Sequence, residues 1–206
     1  MASIHLLRHA RTEANAERRF CGWSESEPLA GELEDLRLLS PPSVDMVFCS
    51  PSNRCIKTAE ALGYDDQSIS DSIREVNFGS WEMRTFDELE KERPEETEQY
   101  LGSPLNFRFP DGESLRDVGE RTNRFLVEEL GPCLDEDMDA LIVGHLGSLK
   151  LLLINMLGLD LSIFWKLSVK PARFSSVSYC NDGDERAFRL ETLNSTGCDT
   201  YGKQAL

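Results

Sequence analysis

The sequence predicts an α/β fold: a three-layer sandwich with a mostly parallel central sheet and a small helical insertion. Three observations predict it. Short apolar runs of strand length alternate with longer stretches whose apolar residues recur at helical spacing. Two strand-like runs close the chain, joined by the turn-forming segment Asn181-Asp182-Gly183-Asp184. Residues 82–112 interrupt the alternation with polar, helix-like sequence and no strand pattern. The length agrees: 206 residues suit a single domain, 1–206, with 82–112 as an insertion within it.

Each element has its own signal. Residues 3–7 read as the first strand, and Thr12 as the cap of a following helix. Leu29, Leu33, Leu36 and Leu39 share one helical face, which Pro41-Pro42 ends. Residues 44–49 form the second strand. Ser50 is then expected to cap a helix with Pro51 in its first position, running to about residue 62 and ending at Gly63. Ile69 marks a short strand or extended link, and 73–81 looks irregular. In the insertion, Phe86 and Leu89 mark a short helix that stops before Pro94, and residues 95–101 a second. Ser114 and Asp117 make a capping-box pattern for a helix over 114–130, with Leu115, Val118, Phe125 and Leu130 facing inward. Residues 140–143 are a strand, 147–157 a helix closed by Gly158, and 169–181 and 186–192 the last two strands.

The chain carries 37 acids against 22 bases, a formal net charge of −15. That excludes a general nucleic-acid binder, which needs a basic footprint. It leaves room for an anionic small molecule, provided the site concentrates its own cations. The longest apolar run, 149–153, is too short to cross a bilayer, so no membrane partner is expected. The start lacks a basic segment followed by a long apolar one, and the six cysteines form no CxxC pair. A cytoplasmic protein with free thiols is the expectation, and a homodimer is left open.

The cations gather at strand ends. Arg8 and His9 follow the first strand, Arg54 lies in the helix after the second, and Gly144-His145 follows the strand over 140–143. Parallel sheets build their sites at such ends. Guanidinium groups match the paired oxygens of a phosphoryl group, and imidazole supplies a donor or a nucleophilic nitrogen. Helix N-termini after His9, Ser50 and His145 would add N–H donors. There is no HExxH, no close carboxylate pair with His and no Walker-type loop, so neither metal nor cofactor is expected.

Five segments now carry a resemblance. Residues 8–15, RHARTEAN, look like the RHG-x-T-x-x-N signature of the histidine phosphatase superfamily, also called phosphoglycerate mutase-like. Residues 49–59 resemble its S-x-P-x-x-R-x-x-x-T-A segment, 74–82 its E-x-x-F-G-x-W-E segment, and 110–114 its G-G-E-S helix start. Gly144-His145-Leu146-Gly147 takes the place of its S-H-G-G. The short insertion and residues 78–82 look most like the α-ribazole and broad-specificity phosphatase branch. The resemblance implies that the insertion lies over the active site, that His9 becomes phosphohistidine, and that Arg8, Arg54 and His145 grip the phosphoryl oxygens. It implies that Glu75 protonates the leaving alcohol and then activates water, and that Asn15 adds a phosphate contact. Arg11, and Gly22 and Trp23 of an F-x-G-like loop, are candidate substrate contacts, with Arg84 and Arg108 further out. The implied substrate is a small phosphomonoester, α-ribazole phosphate among them. The alternatives are a cofactor-dependent phosphoglycerate mutase and a noncatalytic phosphate-binding scaffold. Two departures stand out: Ala10 replaces a glycine after His9, and Leu146 replaces one after His145.

Overall fold

In a computed structural model, residues 1–182 and 185–197 are described. Gly183 and Asp184 of the predicted turn, and Cys198, lie outside them. The described chain forms one six-stranded sheet in the order β3-β2-β4-β1-β5-β6. Its strands are β1 (Ala2–Arg8), β2 (Met46–Cys49), β3 (Ser68–Ile69), β4 (Ala140–Gly144), β5 (Phe174–Asp182) and β6 (Glu185–Ser195). Pairings β1–β4, β2–β4 and β2–β3 are parallel, and β5 joins β1 antiparallel. The central strand β4 is buried along its whole length, which is why Ala140 to Gly144 is an unbroken apolar run rather than an alternating one.

Helices cover both faces. α3 (Asn53–Ala61) belongs with a cluster of Leu7, Cys49, Cys55, Leu141 and Phe174. α8 (Leu146–Met156) belongs with the opposite cluster, built on Ile4, Leu6, Phe48, Phe125 and Ile142. Each leucine, isoleucine or phenylalanine among them, fully withdrawn from water, contributes about 1.5–3 kcal/mol. Thr12 caps α1 (Glu13–Ala16) as expected, in a capping box with Asn15, and the expected capping box of Ser114 and Asp117 forms before α6 (Leu115–Arg124). The predicted leucine-faced helix is the shorter α2 (Ala30–Leu36).

Three boundaries differ from expectation. Ser50 does not cap α3; Ser52 occupies that position, and the Ser50 hydroxyl serves His145 instead. The helix begun at Ser114 does not stop at Leu130: after α6 the backbone widens into a π-helical segment, Phe125–Leu130, and continues as α7 (Gly131–Asp135). Pro132 is tolerated there because it lies in the first turn of α7. Finally, residues 169–173 precede β5 rather than extending it, and a 3₁₀ segment, Leu161–Lys166, lies before them. The region 82–112 holds α4 (Phe86–Glu92) and α5 (Pro94–Gly102). Its aromatic residues Tyr100, Phe107 and Phe109 pack with Trp81 and Phe78. No helix among the described residues is long and apolar enough to cross a membrane.

Candidate active site

Strand register assembles the site. β1 and β4 run parallel with Arg8 opposite Gly144, so the next residues, His9 and His145, leave the sheet side by side. Their ring centroids are 5.2 Å apart. β2 pairs Cys49 with Val143, which brings Ser50 to the same edge and starts the turn that carries Arg54 into place. Ala10, the substituted position, is fully buried, lies outside the left-handed backbone region, and donates its N–H to Thr58 Oγ1 at 2.9 Å. Its methyl therefore belongs to the core rather than crowding the site.

The His9 tautomer follows from its partner. Nδ1 lies 2.7 Å from the Ala10 carbonyl, which can only accept, so Nδ1 carries the proton. Nε2 then keeps its lone pair. Burial pushes the His9 pKa well below the usual imidazole value, and the Arg54 and Arg8 charges push it further, against a smaller opposing effect of the Ala10 bond. His9 is consequently a neutral imidazole with an unprotonated Nε2 near pH 7.

His145 is fixed from both sides. Arg54 Nε donates to its Nδ1 at 3.2 Å, and its Nε2 donates to Ser50 Oγ at 2.7 Å. It too is held neutral, first by burial and then by Arg54. Arg54 is 1% exposed and also donates to the Gly22 and Ser24 carbonyls at 2.5 and 2.9 Å. These bonds leave two of its five N–H groups for a ligand. Arg8 Nη1 donates to the Val169 carbonyl at 2.9 Å, while its buried Nε has no partner among the described residues. A buried charged donor without a partner is costly unless a ligand takes it.

The N-terminus of α8 does not stand open to an anion as expected. The Glu75 carboxylate occupies it, accepting from Gly147 N–H at 3.0 Å to each oxygen and from Ser148 N–H at 3.3 Å. A carboxylate fits there because the first-turn N–H groups are otherwise unsatisfied and the helix dipole favours negative charge. Glycine at 147 leaves room for this seat: a Cβ there would lie 2.4 Å from Glu75 Oε1 and displace the carboxylate. Arg121, 8% exposed, holds the backbone of the same loop through the Ser72, Arg74 and Glu75 carbonyls at 2.7–2.9 Å and pairs with Glu113. Glu82 orders the neighbouring loop, its carboxylate accepting from the N–H groups of Gly22, Trp23, Ser24 and Phe78.

A cavity of about 240 Å³ opens at this edge. Among the predicted residues, Arg8, His9, Asn15 and Glu75 line it. Asn15 Oδ1 is taken by the Thr12 N–H, so its amide N–H is what it can offer a ligand. Arg54 and His145, expected to grip the phosphoryl oxygens, are not in the wall: Arg54 bonds His145, and Gly22 acts through its carbonyl on Arg54. The structure does not bring Arg11 or Trp23 to the wall. Arg11 is exposed, and Trp23 lies 45% exposed with Nε1 donating to the Glu75 carbonyl. Arg84 and Arg108 are spent on Glu92 and Asp117. Phe20, the first residue of the F-x-G-like loop, does line the wall; sequence reasoning missed Lys150 and the other aromatics there, Phe78, Tyr100, Phe109, Phe164 and Trp165. A signal for Lys150 was present: it is the one charge inside the apolar run over 149–153. Among the described residues, no group of three or more His, Cys, Asp or Glu side chains is arranged to hold a metal ion.

Known proteins share this arrangement of elements. The profile of the histidine phosphatase superfamily (branch 1) matches residues 4–196. The Escherichia coli protein named "Probable phosphoglycerate mutase GpmB" is 29% identical over 186 residues, which span 87% of this chain and 86% of its own. The solved α-ribazole phosphatase of Shigella flexneri is 27% identical, with a TM-score of 0.84 over 95% of this chain and 97% of its own. The phosphoserine phosphatase of Entamoeba histolytica, solved with 3-phosphoglyceric acid, shares the fold: 20% identity, TM-score 0.79, 95% of this chain and 98% of its own.

Proposed function

The chain belongs to the histidine phosphatase superfamily, branch 1, and from that membership we propose that it hydrolyses a small phosphomonoester, without a metal, through a phosphohistidine at His9. The observation that carries this reading is one cavity holding an unprotonated, buried imidazole nitrogen and a positioned carboxylate, with Arg8 beside them. His9 Nε2 attacks phosphorus, and the alcohol oxygen leaves with a proton that the Glu75 carboxylate takes from the monoanionic ester and passes on. Water then attacks phosphorus, the Glu75 carboxylate takes its proton, and the P–N bond breaks to free phosphate and His9. Arg8 Nε and the Asn15 amide are the donors in the cavity wall for the equatorial oxygens, and the two remaining Arg54 N–H groups are proposed to join them. His145, with both ring nitrogens engaged, keeps Arg54 aimed instead of gripping a phosphoryl oxygen itself. The region 82–112 acts as a cap, a role supported by Tyr100, Pro104 and Phe109 in the cavity wall. We place this chemistry in the cytoplasm, where Cys21, Cys49, Cys55, Cys133 and Cys180 stay free thiols.

Two finer readings of the alcohol have support. The likeness to the Shigella flexneri enzyme and the aromatic wall favour α-ribazole phosphate, whose planar ring system would stack there. The likeness to the Escherichia coli protein favours a phosphoglycerate, handled either by hydrolysis or by a mutase reaction that returns the phosphoryl group to a second hydroxyl. Phosphate release from α-ribazole phosphate, 3-phosphoglycerate and p-nitrophenyl phosphate, with EDTA present, tests the proposal. EDTA-resistant release supports it. Interconversion of phosphoglycerates without free phosphate would replace it by the mutase reading.

Gly147 provides a sharper check on the Glu75 seat. Gly147→Ala is expected to push the carboxylate aside and lower kcat/KM by about 10²-fold, as ångström-scale misplacement of a reacting group does. Circular dichroism of the variant should stay native. Wild-type kcat/KM in a folded variant would show that the carboxylate need not sit where Gly147 holds it.

A further inference from the structure

Lys150 has no task in the scheme above, and its surroundings are unusual for a lysine. It lies in α8 between Leu149 and Leu151, is 6% exposed, and lines the cavity with Arg8, His9 and Glu75. Among the described residues, its ammonium makes no ion pair and no hydrogen bond. It rests instead against aromatic faces, 4.7 Å from the Phe164 ring centre and 5.9 Å from that of Trp165. Burial lowers its pKa and the Arg8 charge adds to the effect, against a smaller opposing pull from the Glu75 carboxylate. Glu75 shares the cavity wall but makes no ion pair with Lys150, and a largely buried ammonium lacking a directly bonded anion is costly, a cost that cation–π contact offsets only in part. It is retained most readily where a ligand completes it.

Its place on the helix says which part of a ligand it meets. Lys150 lies three residues beyond Gly147 and four beyond Leu146, on the same helical face. Gly147 holds Glu75, and Leu146 lines the cavity. On the reading proposed above, on which this inference rests, Glu75 faces the ester oxygen that departs. The group beside Lys150 is therefore the alcohol and not the transferred phosphoryl. We propose that Lys150 is a specificity-determining residue that binds a second anionic group, a carboxylate or a further phosphate, carried by the alcohol of the substrate. Phe164 and Trp165 hold the ammonium in place and exclude water from the pair. The inference ranks an acid-bearing alcohol above a neutral one such as that of α-ribazole phosphate.

The test compares esters that differ only in this group. 3-Phosphoglycerate and glycerol 3-phosphate differ by a carboxylate against a hydroxymethyl; glucose 1,6-bisphosphate and glucose 6-phosphate differ by the second phosphate. Wild type is expected to favour one acid-bearing member by at least about tenfold in kcat/KM, and which pair shows it identifies the anion. Lys150→Met should abolish that preference by raising KM for the acid-bearing ester alone, and Lys150→Arg should restore part of it. No preference in wild type for either pair, or an equal loss on all esters in Lys150→Met, overturns the inference. Calorimetric binding of the same pairs to His9→Ala separates the two proposals. A Lys150-dependent preference in binding without wild-type turnover would sink the hydrolase reading and keep this one. Turnover without any binding preference would do the reverse.

Discussion

Replacing His9 by alanine is expected to cut phosphate release by about 10⁴-fold or more, the scale seen when a covalent nucleophile is removed. No neighbour can stand in for it. His145 is the only imidazole nearby, and both its nitrogens are engaged, Nδ1 by Arg54 and Nε2 by Ser50. Cys55 is close to His145 but fully buried, and its thiol is held well above its usual pKa by burial. Rapid alkaline denaturation during turnover of a ³²P-labelled ester should trap acid-labile, base-stable label on wild type and none on His9→Ala. Label persisting on the variant would move the nucleophile elsewhere. The variant should stay folded, since His9 contributes one hydrogen bond to the Ala10 carbonyl, net about 1 kcal/mol. The pH dependence of stability gives an independent signature. The His9 pKa is depressed in the fold, so below pH 6.5 the unfolded chain takes up a proton that the folded chain refuses, and wild type loses stability as pH falls. Alanine removes that loss, so the Tm gap between the two proteins should narrow from pH 7 to pH 5.

Much of this site was legible because strand ends in a parallel sheet are adjacent whatever their separation in sequence. Arg8-His9 and Gly144-His145 meet through one register, Arg8 opposite Gly144, which an apolar run ending in a cation already suggests. The caps at Thr12 and Ser114 were legible for the opposite, local reason: both partners lie within three residues. Ser50 was misread because Ser-Pro at a strand end satisfies the local rule for a helix start, while its hydroxyl is claimed by His145, 95 residues away. The continuation past Leu130 is likewise invisible locally: Gly131-Pro132 reads as a stop, and the π-helical widening before it carries the chain through. Glu75 could be chosen among 37 acids only by resemblance, because what distinguishes it is its seat on the Gly147 and Ser148 N–H groups. Lys150 hid inside a leucine run, where periodicity reports burial and says nothing of an interior cavity.

Glu75→Gln should separate the two halves of the reaction. Glutamine keeps the shape, and its carbonyl oxygen can still accept from Gly147 and Ser148, but it has no proton to give a leaving alkoxide and no charge to take one from water. For an ester with a poor leaving group, such as glycerol 3-phosphate, phosphorylation of His9 is expected to slow by about 10²–10⁴-fold, the usual contribution of a general acid. p-Nitrophenolate leaves without help, so p-nitrophenyl phosphate should still phosphorylate His9 at a rate close to wild type. Hydrolysis of the phosphoenzyme is the same step for every ester and should be slow in the variant. The expected record is a stoichiometric burst of p-nitrophenol followed by a slow steady state, with no burst from the alkyl ester. Stopped-flow absorbance resolves the two phases for p-nitrophenol and quenched-flow assay of released glycerol does so for the alkyl ester, where steady-state rates alone would report one common slow step. Equal burst rates for both esters would remove Glu75 as the leaving-group acid. The nearest rival then gains nothing automatically: the Glu82 carboxylate already accepts from four backbone N–H groups around Gly22 and Phe78 and lies outside the cavity wall. Glu82→Gln should therefore disturb the loop that holds Arg54 through the Gly22 and Ser24 carbonyls and slow both esters alike. A leaving-group dependence in that variant, absent from Glu75→Gln, would exchange the two assignments.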